Sequence, residues 1–122
     1  MIVEDEYLYA CMLARVVASA GYDVVGPFSD CDSACAALAP ADHGIRAATL
    51  DVTLDGGVSC HDVAEELRRQ DIPFLFLTGG GITDARTREL AETVPVLSKP
   101  LRLQRILSEI NDLLQSKPQT DP

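Results

Sequence analysis

The sequence predicts an α/β protein, a (βα)5 doubly wound parallel sheet with strand order 2-1-3-4-5. Three observations carry the prediction. Short apolar runs rich in branched residues alternate with longer segments of helical period, which is the pattern of βα units feeding a parallel sheet. Five such runs fit in 122 residues, one domain's worth of chain. The run Phe74, Leu75, Phe76, Leu77 is uninterrupted, as expected where both faces of a strand are covered.

The first run is Met1, Ile2, Val3. A helix over about 7–20 follows, because Leu8, Met12, Leu13, Val16 and Val17 repeat at three- and four-residue steps and Gly21 supplies a C-terminal stop. Residues 23–27 read as a second strand. Asp30 or Asp32 then caps an alanine-rich helix that ends near Leu38, before Pro40. Residues 47–50 form the third strand. After the turn at Asp55, Gly56 and Gly57, a helix over about 59–70 sets Val63, Ala64 and Leu67 against Glu65, Glu66, Arg68 and Arg69. The fourth strand is 74–77. Three glycines at 79–81 carry a large entropy cost to order, and the helix after them, about 84–92, is weakly apolar. A fifth strand over 94–97 leads to a last helix lined by Leu103, Ile106, Leu107, Ile110, Leu113 and Leu114. The polar segment 115–122, with two prolines, is expected to be a disordered tail beyond a single domain of 1–114. No repeat or second domain is visible, and the arrangement is of the flavodoxin-like kind.

Composition narrows the function. Ten Lys and Arg against nineteen Asp and Glu give a formal charge of -9, which repels a nucleic-acid backbone. No apolar run approaches the roughly 20 residues of a membrane span, and no signal peptide is evident, so a cytoplasmic protein is expected. Cys11, Cys31, Cys35 and Cys60 lack the spacing of a zinc site and read as reduced thiols. His43 and His61 read as surface residues.

The chemistry collects where an open α/β sheet binds ligands, beyond the carboxyl ends of the strands at the reversal of strand order. Glu4, Asp5 and Glu6 follow the first strand, Asp51 ends the third, Thr78 closes the fourth and Lys99 the fifth. Two carboxylates about 4 Å apart repel by about 1 to 4 kcal/mol unless a cation intervenes. Few protein oxygens suit Mg²⁺, which keeps waters and shares its coordination with phosphate. A transferring phosphoryl group spreads charge over three oxygens, which Mg²⁺, the Lys99 ammonium and the Thr78 hydroxyl with nearby backbone N–H groups can meet. Asp51 is then the nucleophile. Taken singly, each residue has a duller explanation: a solvated helix start, a strand-end cap, a turn hydroxyl and a surface lysine. Their joint placement is what points to a site.

The segments Ile2 to Glu6, Leu50 to Leu54, Phe76 to Gly79 and Leu97 to Pro100 resemble, in order and spacing, the four signature blocks of response-regulator receiver domains. The resemblance spans Ile2 to about Leu114. It implies that Asp51 is the phosphoacceptor, Asp5 a direct Mg²⁺ ligand, Glu4 a second acid acting through water and the Thr53 carbonyl the third protein ligand. It further implies that Thr78 is the switch hydroxyl, Lys99 the phosphate-binding lysine, Gly79 a position kept small for the phosphodonor, and Lys99–Pro100 a cis peptide. The implied function is Mg²⁺-dependent phosphorylation of Asp51 by a histidine kinase or histidine phosphotransfer protein. The module then signals by docking to an unnamed downstream protein, because no output domain follows, and acts on no substrate but its own aspartate.

The sequence departs from the receiver pattern in four places. Three residues before Glu4 make a short first strand, unless the true start lies upstream. Val96 stands where a Tyr or Phe reports phosphorylation, so a rotating aromatic is not the output. Thr53 and Gly80 occupy the positions that tune the attacking water. Asp55, Gly56 and Gly57 make the turn where a proline is usual. The alternatives are a pseudo-receiver that binds a partner without phosphorylation and, more remotely, a flavin- or nucleotide-binding protein. Against the latter, Glu4, Asp5 and Glu6 stand where a glycine-rich phosphate cradle belongs. A homodimer is left open.

Overall fold

The computed structural model describes residues 1–52, 60–82 and 84–115, and the side chain of Cys60 is outside the description. Its elements are β1 (Ile2–Val3), α1 (Tyr7–Ser19), α2 (Cys31–Leu38), β2 (Ala48–Asp51), α3 (Cys60–Arg69), β3 (Phe74–Thr78), α4 (Ala85–Leu90), β4 (Val96–Ser98) and α5 (Leu103–Gln115). The turn expected at 55–57 and the expected tail from 116 onward lie outside the described residues, while Gln115 ends α5.

The strands form a parallel sheet in the order β1-β2-β3-β4. Period-two alternation on β3 divides the core into two layers. Phe74 and Phe76, ring centroids 5.6 Å apart in an edge-to-face contact, pack with Leu38, Leu50, Val63 and Leu67 on the side of α2 and α3. Leu75 and Leu77 turn to the other side and meet Leu13, Val17, Ile106 and Ile110 of α1 and α5. Helices therefore cover both faces, which is why β3 is apolar at every position but its last.

The five helices appear close to their expected bounds, and α1, α2 and α4 have side-chain N-caps. Asp30, not Asp32, caps α2, its carboxylate accepting from the Ser33 N–H at 2.7 Å. Asp84 caps α4 and accepts from both the N–H and the hydroxyl of Thr87, at 2.9 and 2.8 Å. In α1 the buried line is Ala10, Leu13 and Val17, and Leu8 is 77% exposed. At 100° per residue Leu8 lies well off that line, so the face expected to include it is rotated.

Two expectations are corrected. The second expected strand, 23–27, forms no ladder; the one parallel bridge on that edge of β1, away from β2, joins Val3 to Phe28, one residue beyond it. Hydrogen bonds from the Ile2 N–H to Val25 O, from the Phe28 N–H to Ile2 O and from the Glu4 N–H to Phe28 O hold it there. Pro27, joined to Gly26 by a cis bond, has no N–H to donate, and Gly26 sits at φ +99°, so regular pairing stops. His43 is no bare surface residue: its Nδ1 accepts from the Ile45 N–H at 2.8 Å and its Nε2 lies 2.7 Å from Gln70 Oε1. Gln70 also donates to Leu38 O and Glu66, tying the loop before β2 to the end of α3.

Gly21 and Gly26 share a positive φ but differ in surroundings. A Cβ on Gly21 (φ +96°) meets nothing within 4 Å, whereas one on Gly26 falls 2.9 Å from Ile2 O and from Phe28 N. Gly21→Ala should therefore cost about 1 kcal/mol of backbone conformational energy. Gly26→Ala should cost at least about 2 kcal/mol, because backbone must also move. Urea unfolding of the two variants checks the ranking, and equal losses would contradict it.

Candidate functional site

Register brings the site together. Val3 pairs with Leu50, so the next residues, Glu4 and Asp51, end neighbouring strands. Asp51 pairs with Leu77, and Thr78 with Ser98, which places Thr78 and Lys99 at the same edge of the sheet. The Lys99 N–H donates to Thr78 O at 2.8 Å and carries the ladder one step past β4. Lys99–Pro100 is cis, as the resemblance implied.

Glu4 and Asp51 are 2% and 0% exposed, and ordinary carboxylates are rarely buried so deeply without a partner. Their partner is Lys99, whose Nζ donates to Glu4 Oε1 at 2.8 Å and to Asp51 Oδ2 at 3.4 Å. Carboxylate oxygens of Glu4, Asp5 and Asp51 lie within 4.8 Å of one another. Three acids that close, with one ammonium among them, fit a divalent cation: it would relieve the remaining repulsion and take oxygen ligands. Glu6 is not part of this set. Its carboxylate caps α1 by accepting from the Tyr9 N–H at 2.7 Å, a second use for the acidic run.

Electrostatics show the strain of the arrangement. Burial, followed by the hydrogen bond to Asp51, pushes the Glu4 carboxyl up to about 7, against the pull of Lys99 and of the Glu6 N–H. Burial works against the Lys99 charge, but its bonds and attraction to Glu4 and Asp51 prevail and raise its pKa.

Thr78 is 3% exposed, and its hydroxyl oxygen accepts from the Gly81 N–H at 2.8 Å and the Gly80 N–H at 3.3 Å. The glycine loop thus hangs on this hydroxyl. Glu4, Asp5, Asp51, Thr78 and Lys99 all gather at one edge, while the carbonyl of Thr53 lies outside the described residues. Sequence reasoning missed Tyr9, whose ring centroid is 4.5 Å from Lys99 Nζ. Its place three residues after the Glu6 cap was the only available signal. A cavity of about 500 Å³, lined in part by Ile2, Val17, Thr49 and Leu113, lies at the amino ends of β1 and β2, away from the acids. Among the described residues no Cys or His cluster competes as a metal site, and no helix is long and apolar enough to cross a membrane.

No family model and no curated protein matches the sequence. Among solved structures the chain is similar to SdrG from Sphingomonas melonis Fr1, with 40% identity over 93% of this chain and 92% of that one, at a TM-score of 0.75. The BeF3-activated conformation of SdrG, attributed to Pseudomonas melonis Fr1, has 38% identity over the same shares and a TM-score of 0.71. The receiver domain of NtrX from Brucella abortus superimposes with a TM-score of 0.78 at 22% identity, covering 95% of this chain and 98% of that one. Against the longer NtrX chain in complex with ADP, coverage falls to 25% of that chain. The PhyR response regulator REC domain of Erythrobacter litoralis matches with 25% identity and a TM-score of 0.73, over 95% of this chain and 91% of that one.

The raised pKa of Glu4 has a consequence for stability. A carboxyl that holds its proton more tightly when folded contributes stability that is full below its unfolded value of 4.5 and is lost as pH rises through about 7. In EDTA, the thermal midpoint of the wild type relative to Glu4→Gln should therefore fall between about pH 5 and about pH 8. Mg²⁺, which prefers the ionised acid, should diminish that fall. Parallel profiles of the two proteins in EDTA would contradict the assignment.

Proposed function

Because the chain belongs to the response-regulator receiver domains, signalling modules of two-component systems, we propose that it accepts a phosphoryl group on Asp51 and signals by docking to a partner protein. The donor is a histidine kinase or a histidine phosphotransfer protein, and the setting is the cytoplasm. One observation supports this above the rest: a fully buried carboxylate, Asp51, is flanked at the edge of the sheet by two further acids and one lysine.

In the transfer, a carboxylate oxygen of Asp51 attacks the phosphorus of the donor phosphohistidine. A P–O bond forms, the P–N bond breaks, and the imidazole nitrogen keeps the electron pair. Mg²⁺ held by Asp5 and Asp51, by Glu4 through water and by the Thr53 carbonyl would neutralise charge on the phosphoryl oxygens. Lys99 then exchanges its contact with the Asp51 carboxylate for one with a phosphoryl oxygen. Asp51 attacks as the carboxylate, which needs no general base, and the module has no substrate but itself.

Thr78 links this chemistry to the surface. Its oxygen accepts from the Gly80 and Gly81 amides, and its hydrogen is the donor left for a phosphoryl oxygen. Drawing the hydroxyl inward takes the glycine loop with it and changes the start of α4, an order–disorder output that needs no aromatic at Val96. A shift from 1:99 to 99:1 asks for about 5.5 kcal/mol of differential interaction, within reach of a few charge-assisted bonds.

Incubation with acetyl phosphate and Mg²⁺ should add one phosphoryl mass to the wild type and none to Asp51→Asn. Equal modification of both, or of neither, would remove the proposal. Magnesium titration should weaken at least about tenfold in Asp5→Ala and little in Glu6→Ala. For the output, beryllofluoride in Mg²⁺ should raise amide-exchange protection across residues 79–92 more than in α5, and Thr78→Ala should abolish most of that rise. Unchanged exchange there, despite binding of the mimic, would exclude the loop as the output.

A further inference from the structure

The Lys99 ammonium has three N–H donors on a flexible four-carbon stem, so something must decide where it stands. Glu4 and Asp51 take two of its directions, at 2.8 and 3.4 Å, and the ring of Tyr9 lies 4.5 Å from Nζ. Tyr9 is in the first turn of α1, and its own N–H is held by the Glu6 cap at 2.7 Å. The chain segment that delivers Glu4 and Asp5 therefore also sets the ring. Tyr9 packs against the core layer of Leu97, Ile106 and Leu13, and its hydroxyl is buried with no hydrogen-bond partner among the described residues. Among the described residues the hydroxyl thus makes no hydrogen bond that accounts for a tyrosine here. The ring face does, because its negative quadrupole attracts an ammonium, and more strongly when both are shielded from water.

We propose that Tyr9 is a positioning residue whose ring face holds the Lys99 ammonium over the carboxyl ends of β1 and β2, where the phosphoryl group is received. The inference rests on the reading of Asp51 as phosphoacceptor. Both carboxylate contacts of Lys99 change when that site is used, since Asp51 becomes an acyl phosphate and Glu4 turns to the metal. The Tyr9 contact does not change. A neutral ring attracts the ammonium without occupying the N–H directions that phosphoryl oxygens need, so the lysine is kept at the site yet remains available to the incoming anion.

The test uses the full chain and four proteins: wild type, Tyr9→Phe, Tyr9→Leu and Tyr9→Met. Tyr9→Phe keeps the ring face, and Tyr9→Met supplies an adaptable apolar side chain should Tyr9→Leu fold poorly. Beryllofluoride affinity in saturating Mg²⁺ should be within about twofold of wild type for Tyr9→Phe and about three- to tenfold weaker for Tyr9→Leu and Tyr9→Met. Mg²⁺ affinity should stay within about twofold throughout, because Tyr9 is not among the proposed ligands. An NMR arm reads the geometry directly: the Lys99 ε-methylene protons should be shifted upfield by the ring in wild type and Tyr9→Phe, and not in the other two. Unchanged beryllofluoride affinity in Tyr9→Leu and Tyr9→Met would overturn the proposal, as would a loss in Tyr9→Phe equal to theirs. A wild type that fails to bind beryllofluoride would refute the phosphoacceptor reading instead, and the proton shifts would then decide whether Tyr9 holds Lys99.

Discussion

The contact of Lys99 Nζ with Glu4 at 2.8 Å and Asp51 at 3.4 Å joins the ends of three strands that are far apart in sequence. Both carboxylate side chains are cut off from solvent, and a buried charge is tolerable only with a partner and good geometry. One ammonium for two buried acids leaves the balance incomplete. Burial first, and then the hydrogen bond to Asp51, displaces the Glu4 carboxyl upward to about 7. A divalent cation would supply the charge, with Asp5 as a third oxygen source at the mouth of the site. Tension at the site and affinity for metal are thus two aspects of one arrangement.

Parallel register makes the arrangement possible. Adjacent parallel strands whose residues pair Val3 to Leu50, Leu50 to Phe76 and Phe76 to Val96 end close to one line, so Glu4, Asp51, Thr78 and Lys99 come to the same crevice. The apolar layers on either side hold that register, because a slip of one residue would exchange Phe74 and Phe76 for Leu75 and Leu77 and expose each to the wrong helices. Packing therefore sets the geometry of the charges. The order of β1 and β2 also explains why acids from the first few residues meet Asp51 from the middle of the chain.

Away from the acids, the backbone is held by short polar devices. Thr78 gathers the amides of Gly80 and Gly81, Asp84 starts α4 through Thr87, and Glu6 starts α1 through Tyr9. Each replaces hydrogen bonds that a glycine-rich loop or a helix end cannot make for itself. Gly26 and Pro27 do the reverse at the other edge, where they interrupt regular pairing ahead of the single bridge at Phe28.

The alternation of apolar runs and helical segments, the glycine and proline stops, and the acids, threonine and lysine after four of those runs were legible in the sequence, because hydrophobic period and strand-end position are local properties. The resemblance to receiver domains turned those positions into roles, and the structure brings the described residues of that set to one edge. Other features depended on groups distant along the chain. Whether 23–27 pairs as a strand rests on the backbone geometry of Gly26 and Pro27 against Ile2, and whether His43 is free rests on Gln70, 27 residues later. The ring of Tyr9 meets an ammonium 90 residues away, a contact no periodicity encodes. Local pattern determined which elements form and where their polar ends fall. Only tertiary packing decided which buried charges share a partner, since burial and distance between remote residues are properties of the folded chain alone.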